Sequence, residues 1–303
     1  MSTISLPSTQ STPSLDPDGP CRDLLAACSP QTGLVAMWLA GRCLCLLRTA
    51  RTISQNHAAS AAGFSIAVIR AIETGARAVR PGELTALCDL YQPAGELRAT
   101  LLALLSHTQP GWWDQFSTSV LPPPTRLYLA LEDACALTWQ YQSTVIPGLL
   151  QTPAYAAAVL ARTNLPPSVM AGRLQARRER QRRMLIHRGK ARVDITIAEA
   201  ALTRAITTPD EMDEQLQFIA NLATFKNVRV RVLPSTVLPP GSNSATIFSV
   251  GTEACAWRES GTSMHPANDR RYMRMRDVID AAALDAESSR KLIIDTVKTV
   301  GAG

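Results

Sequence analysis

The sequence predicts a mainly α-helical protein with an all-helical N-terminal domain and a C-terminal α+β domain that contains a small sheet. Three observations lead to this fold class. The chain has 303 residues, which is enough for about two domains. Apolar residues recur at helical spacing along most of it, whereas strand-like alternation begins only near residue 192. The sequence Pro110-Gly111 interrupts the helical pattern and predicts the domain boundary.

Three segments follow from this division. Residues 1–20 are rich in Ser, Thr and Pro and contain too few apolar side chains to form a core, so we expect a flexible arm. Residues 21–107 are predicted to form the helical domain. Residues 108–303 are predicted to form the α+β domain.

Two short helices joined by a tight turn form the most informative pattern of the N-terminal half. Ser54 is a suitable N-cap for a helix over 55–61, and Gly63 can adopt the left-handed conformation that a sharp turn requires. A second helix is capped by Ser65 and ends at Gly75. A unit of this kind places its second helix in the major groove of DNA, although any small helical hairpin has the same spacing.

The other elements are predicted from periodicity alone. In the N-terminal domain, one helix within 21–47 precedes further helices over 42–51, 83–91 and 95–106. In the C-terminal domain, helices are expected over 126–141, 155–163, 168–186, 212–225, 270–283 and 285–300. Strands are expected over 192–198, 228–232, 245–250 and 254–259.

An ordered series of residues resembles a known family. The matching residues in the first half are Ser54-Gln55, Ala59, Gly63, Ser65, Ile69, Ile72-Glu73-Thr74-Gly75, Arg77 and Pro81. Those further along include Pro110-Gly111-Trp112-Trp113, Glu132, Pro147-Gly148-Leu149-Leu150-Gln151-Thr152, Tyr155, Arg177, Glu179-Arg180-Gln181 and Glu199. The first series resembles the five-helix Xre-type helix-turn-helix domain of bacterial repressors, and the second resembles the antitoxin-like, or WhiJ-like, domain that follows it in one subgroup.

The resemblance implies a function. Such proteins bind double-stranded DNA as homodimers, and their C-terminal domain senses a small protein partner encoded nearby or a small-molecule ligand. Regulators of this kind control bacterial development and secondary metabolism. The net charge of +6 agrees with a polyanionic partner, although it is modest for a protein that binds nucleic acid.

Five residues are the candidates for DNA contacts. Arg70, on the second helix, is the expected reader of a base edge, because arginine pairs bidentately with guanine. Gln55 and Ser65 are expected to contact phosphates or cap helices, and Arg48 and Arg77 are expected to contact phosphates. The second helix nevertheless departs from the family pattern, since Ile66, Ala67, Val68 and Ala71 stand where relatives usually carry polar or basic residues. Its specificity is therefore unusual, or its DNA binding has decayed.

Seven residues are the candidates for a ligand or partner pocket in the C-terminal domain. They combine aromatic rings with polar groups, as small-molecule sites do. They are Trp113, Glu132, Tyr141, Gln151, Arg177, Arg180 and Glu199. Core packing explains most of the aromatic residues equally well, and capping or ion pairing explains the polar ones.

The sequence contains none of the catalytic or phosphate-binding motifs that carry a clear mechanism. The seven cysteines lack metal-finger spacing and are expected to be reduced thiols. We expect no metal, no cofactor, no membrane span and a cytoplasmic location. The absence of motifs does not exclude an enzyme, because a shaped pocket with one or two acids or bases is sufficient for some reactions.

Three hypotheses remain open. The first is a transcriptional regulator that binds DNA and senses a partner or ligand. The second is a degenerate helix-turn-helix relative whose C-terminal pocket binds a metabolite or serves as a biosynthetic enzyme. The third is an antitoxin-like module that sequesters a protein partner and never touches DNA.

Overall fold

The computed structural model describes residues 16–28, 30, 32–106, 109–187, 191–239, 244–260, 263–266 and 269–300. Contacts divide the chain into two compact units. Residues 1–26 and 37–106 belong to the first unit, and residues 27–36 and 107–303 belong to the second. Most of the predicted arm, residues 1–15, lies outside the described residues. Residues 16–20 are part of the fold, because the buried carboxylate of Asp18 pairs with Arg51 at 2.6 Å and accepts the backbone N–H of Ala94.

The N-terminal region is helical, as predicted. Its helices are α1 (Gly19–Ala27), α2 (Gly33–Ala50), α3 (Gln55–Ala62), α4 (Ile66–Glu73), α5 (Pro81–Tyr91) and α6 (Gly95–Leu104). Apolar positions of these helices form the core of the first unit, with Leu39, Leu44, Ile69, Ile72, Leu84 and Leu87 almost fully buried.

The turn between α3 and α4 has the predicted geometry. Ser54 and Ser65 cap the two helices by accepting the backbone N–H groups of His57 and Val68 at 3.1 and 3.3 Å. Gly63 has φ +70°, in the left-handed region that glycine adopts without a steric penalty. Each cap satisfies a backbone donor that the helix itself leaves unpaired.

The second unit is built on one mixed sheet. Its strands are β1 (Leu137–Gln142), β2 (Arg192–Ala198), β3 (Val228–Leu233), β4 (Ala245–Val250), β5 (Glu253–Ser260) and β6 (Ser263–Pro266), in the spatial order β3-β2-β1-β4-β5-β6. β1, β2 and β3 are parallel, whereas β4, β5 and β6 pair antiparallel with their neighbours. β1 is therefore the strand at which the parallel part of the sheet meets the antiparallel part.

Helices connect and cover these strands. They are α7 (Pro123–Ala134), α8 (Pro153–Ala161), α9 (Pro167–Gln181), α10 (Glu199–Leu202), α11 (Pro209–Leu222), α12 (Asp269–Ala282) and α13 (Ala286–Val300). One face of β2 and β3 packs against α8, α11 and α13 through residues such as Ile195, Val230 and Leu216. The opposite face of the sheet packs against α12 through Trp139, Tyr141, Tyr272 and Ile279. The C-terminal domain therefore combines helices with a small sheet, as predicted.

The predicted helix over 126–141 is wrong in its second half. α7 ends at Ala134, and Leu137–Gln142 forms β1 instead. The apolar residues of this segment fit a helical stripe, but Thr138, Trp139 and Tyr141 favour strands, and β1 gains hydrogen-bonded neighbours on both sides. Pairing with the neighbouring strands therefore determined the structure of a segment whose local pattern was compatible with either a helix or a strand.

One helix in the described part of the chain is long and apolar enough, by length and composition alone, to cross a membrane. It is α2, which contains Arg42 and Arg48 and is therefore not a continuous apolar run. Half of α2 is buried inside the protein. A single helix of this kind is weak evidence for a membrane span, because core helices pass the same test.

Two glycines of the helix-turn-helix unit provide a matched stability test. Both have left-handed backbones. A Cβ added at Gly75 would lie 2.3 Å from Cδ1 of Trp38, whereas a Cβ added at Gly63 would have no neighbouring atom within 4 Å. We expect Gly63→Ala to lower the free energy of unfolding by about 1–2 kcal/mol through backbone strain alone. Gly75→Ala should cost clearly more, measured by chemical denaturation. Equal losses would contradict a steric role for Trp38.

Candidate functional site

Four side chains of the first unit form one continuous hydrogen-bonded series. Arg48 on α2 donates from Nη2 to Oε2 of Glu73 at 2.9 Å, and its Nε donates to the other carboxylate oxygen. Gln55 on α3 donates from Nε2 to the same Oε2 at 2.8 Å. Arg70 on α4 then donates from Nε to Oε1 of Gln55 at 3.2 Å. The series connects a buried carboxylate to an exposed guanidinium.

This series fixes the orientation of the Gln55 amide. The carboxylate of Glu73, which is only 3% exposed, accepts hydrogen bonds and thereby turns the amide nitrogen of Gln55 inward. The amide oxygen consequently points outward and accepts from Arg70. The Arg70 side chain lies at the surface, and its Nη1 and Nη2 groups make no hydrogen bond to any residue that the structure describes.

The outer side of α4 is open to solvent. Ser65, Ala67, Arg70 and Thr74 are exposed, whereas Ile66, Val68 and Ala71 are half-buried. The cap bond uses only an acceptor position of the Ser65 hydroxyl, so its O–H can still donate. Most of the apolar side chains predicted to face outward are thus turned partly into the fold.

The two other candidate arginines have partners within the fold. Glu73 holds the guanidinium of Arg48, and the hydrogen bond between them raises the pKa of Arg48. Arg77 pairs with Glu83 at 2.7 Å, and this bond is the main cause that lowers the pKa of the Glu83 carboxyl. A phosphate contact by either arginine would compete with an existing ion pair. Sequence reasoning did not identify Glu73 as the centre of the site, since it named that residue only among those that match the family.

In the second unit, Arg180 and Glu132 form a buried ion pair. Arg180 donates from Nε and Nη2 to the two carboxylate oxygens of Glu132 at 2.6 and 2.7 Å. Its Nη2 also donates to the Tyr128 hydroxyl at 3.2 Å, and its guanidinium lies over the Tyr128 ring. The pair therefore joins α9 to α7, with the charge of each group neutralised by the other.

Arg177 and Gln151 lie beside this pair. Arg177 donates to Oε1 of Gln151, whose Nε2 donates to the carbonyl of Ile146 at 2.6 Å. A Cβ added at Gly148 would contact both arginines, at 3.4 Å from Arg180 and 3.6 Å from Arg177. The glycine thus allows close approach of two cations to the chain that follows β1.

The remaining three pocket candidates lie elsewhere. Trp113 is buried against Gly111, where an added Cβ would overlap its ring. Tyr141 lies on the other face of the sheet, among the residues covered by α12. Glu199 follows β2 and accepts the backbone N–H of Ser235 at 2.7 Å. Of the seven candidates, the structure therefore brings together Glu132, Gln151, Arg177 and Arg180.

Among the residues that the structure describes, no group of three or more His, Cys, Asp or Glu side chains could hold a metal ion. The cysteines are unpaired with one another and mostly buried. Burial raises the pKa of Cys88 to about 11 and that of Cys135 to about 12, so both thiols stay protonated near neutral pH.

The ion pair between Arg77 and Glu83 predicts a pH dependence of stability. Because the pKa of Glu83 is lowered in the folded protein, its contribution is complete above the ordinary carboxyl pKa and disappears as the pH falls through the lowered value. Glu83→Gln should reduce the melting temperature at pH 7 by the equivalent of ~1 kcal/mol or less, and the difference from wild type should vanish at acid pH. Glu214→Gln, which removes an exposed carboxylate from α11, is the control. A Glu83→Gln difference that persisted at acid pH would contradict this prediction.

Comparisons with known proteins agree with the two units. A family model described as a helix-turn-helix domain matches residues 39–101, and one described as a domain of unknown function (DUF5753) matches residues 125–295. No curated protein and no solved structure matches the chain. The first match indicates DNA binding and transcription regulation. Since the second match covers more than half of the 303 residues, the chain belongs to the family defined by this domain of unknown function, DUF5753.

Proposed function

We propose that the protein is a cytoplasmic transcriptional regulator that reads an operator through α4 and senses a small protein partner or a small ligand through its C-terminal domain. The observation that carries this proposal is the exposed guanidinium of Arg70, held from behind by Gln55, Glu73 and Arg48. It lies on the open face of the second helix of a helix-turn-helix unit.

The geometry suits bidentate recognition of a base. Arginine recognises guanine by donating two hydrogen bonds to O6 and N7. With Nε of Arg70 occupied by Gln55, the two Nη groups are left for this contact. Holding the guanidinium before binding reduces the entropy lost when the complex forms. In the same complex, Ser65 would contact a phosphate through its hydroxyl. Gln55 would do so through its backbone N–H at the start of α3, because its side-chain amide nitrogen is turned inward to Glu73.

The apolar residues of α4 are compatible with this function. Ile66, Val68 and Ala71 are half-buried, so part of their surface packs within the first unit. Ala67 is exposed and can contact a thymine methyl group, which is an apolar form of base recognition. Specificity would then depend on Arg70, on such methyl contacts and on the shape of the DNA.

We further propose the Xre-type and antitoxin-like character of the two domains, a homodimer, and a role in secondary metabolism, all of which rest on the resemblance described above. Regulation requires that the sensed partner or ligand bind the DNA-competent and DNA-incompetent states with different affinity. The C-terminal domain would provide this difference.

The alternative function is a metabolite-binding protein or biosynthetic enzyme that has lost base recognition. The observation that favours it is the buried polar groups along β1, where Thr138, Gln140 and Gln142 follow one face of the sheet and Tyr141 lies on the other. An antitoxin-like module that only sequesters a protein would equally bind no DNA.

A gel-shift series tests DNA recognition. Wild-type protein should shift the DNA upstream of its own gene at low salt, with an affinity that falls as salt increases. Arg70→Ala should cost ~1–3 kcal/mol of binding and remove discrimination at one base pair. Arg204→Ala, which removes an equal charge from an exposed position in the second unit, is the matched control. If wild-type protein gave no shift at low salt, alone or with the neighbouring gene's product, the regulator hypothesis would be rejected.

A double-mutant cycle tests whether Gln55 positions Arg70. Gln55→Met removes both of its hydrogen bonds and keeps a side chain of similar length. We expect it to weaken DNA binding in the wild-type background and to have less effect when Arg70 is already alanine, with a coupling of ~0.5–3 kcal/mol. Additive losses would contradict a positioning role for Gln55.

A further inference from the structure

Three unpaired polar groups form a row across the parallel part of the sheet. Tyr141 on β1 is the register partner of Thr196 on β2, which is in turn the partner of Arg231 on β3. The hydroxyls of Tyr141 and Thr196 and the Nε of Arg231 are buried and have no hydrogen-bond partner among the described residues. The exposed fractions of the three residues are 0%, 0% and 7%. A buried polar group without a partner is costly, so three in one row require an explanation.

The row lies near the edge of the sheet at which the parallel strands end. All three residues are close to the carboxyl ends of their parallel strands, and β1 is the strand at which the parallel and antiparallel parts meet. In open parallel sheets, ligands bind in the crevice outside the carboxyl ends of the strands, and the row lies on a face of the sheet just inside that edge. On the same face, the alanines Ala198 and Ala245 flank Thr196 and Tyr141, so short side chains border the row.

The charge of Arg231 is already balanced. Asp280 on α12 accepts hydrogen bonds from Nη2 of Arg231 and from Nε1 of Trp139, the latter at 2.9 Å. The backbone carbonyl of Asp280 accepts from Nη1 of Arg231 at 3.2 Å. Only the Nε–H group of Arg231 has no hydrogen-bond partner among the described residues. A charged ligand would have no uncompensated counter-charge in this buried place.

We propose that this face of the C-terminal domain, between the row and α12, binds a small neutral molecule that carries carbonyl or other oxygen acceptors. Nε of Arg231 and the two hydroxyls donate to those oxygens. Met275 and Ile279 of α12, with Ile247 of β4, contact the apolar part of the molecule. Burial raises the pKa of the Tyr141 phenol, which therefore stays protonated and able to donate at neutral pH. The site itself is independent of DNA binding; only its effect on operator affinity rests on the proposed function.

The test uses a matched pair of probes. Cyclohexanone carries one carbonyl acceptor on a small neutral ring, and methylenecyclohexane has nearly the same shape without the acceptor. Dissociation constants for the full-length protein are measured by thermal shift and by ligand-observed NMR. We expect cyclohexanone to bind more tightly than methylenecyclohexane and to raise the melting temperature more.

Two nearly isosteric variants remove the donors. The carbonyl oxygen of cyclohexanone has two lone pairs, one for each hydroxyl. Tyr141→Phe and Thr196→Val should therefore each remove one hydrogen bond, weaken cyclohexanone about fivefold to tenfold and leave methylenecyclohexane unchanged. Without a probe, both variants should melt at or above the wild-type temperature, because removing an unpaired buried hydroxyl relieves a cost.

Tyr155→Phe is the matched control on the other side of the sheet. The Tyr155 hydroxyl accepts the backbone N–H of Ile146 at 3.2 Å, so this variant should lower the melting temperature and keep the preference for cyclohexanone. The site is disproved if wild-type protein binds the two probes equally, as it would if the row held only water. It is also disproved if Tyr141→Phe and Thr196→Val keep the preference. Because none of these measurements uses DNA, failure here is distinct from failure of the gel-shift series.

Discussion

The first unit depends on the burial of one carboxylate. Glu73 is the last residue of α4. Its carboxylate oxygens accept hydrogen bonds from Arg48 on α2 and Gln55 on α3, and its backbone carbonyl accepts one from Arg42 at 3.2 Å. A buried charge is stable only when it is paired, and loss of one partner typically costs about 3–5 kcal/mol. Three helices must therefore meet at this point, and their meeting sets the position of α4 and of Arg70.

The same constraint links stability to recognition. Arg48 contributes to the fold by neutralising Glu73. Gln55 is held by Glu73 and in turn holds the exposed guanidinium of Arg70. A residue that looks like a phosphate contact in sequence can thus serve the interface indirectly. Under the proposed function, this support would lower the entropy that Arg70 loses on binding, because a freely rotating arginine loses more.

The second unit is organised around β1. This strand is paired on both sides and buried on both faces, yet it carries Thr138, Gln140 and Gln142 on one face and Tyr141 on the other. Two side-chain pairs connect α7, α9 and the chain after β1. They are Arg180 with Glu132 and Arg177 with Gln151. The row of Tyr141, Thr196 and Arg231, whose buried donors have no partner among the described residues, lies on the face toward α12, and the proposed ligand site is therefore there and not at the paired arginines.

Local signals in the sequence determined the helix-turn-helix unit and most of the regular elements. Ser54, Gly63 and Ser65 act within a few residues of themselves, and the alternation over 192–198 and 228–232 matches β2 and β3 closely. Tertiary structure decided the identity of β1, because its pattern fits a helix until two other strands pair with it. It also decided the roles of Glu73 and Tyr141. The hydrogen-bond partners of Glu73 come from distant parts of the chain, and so do the strands that surround Tyr141.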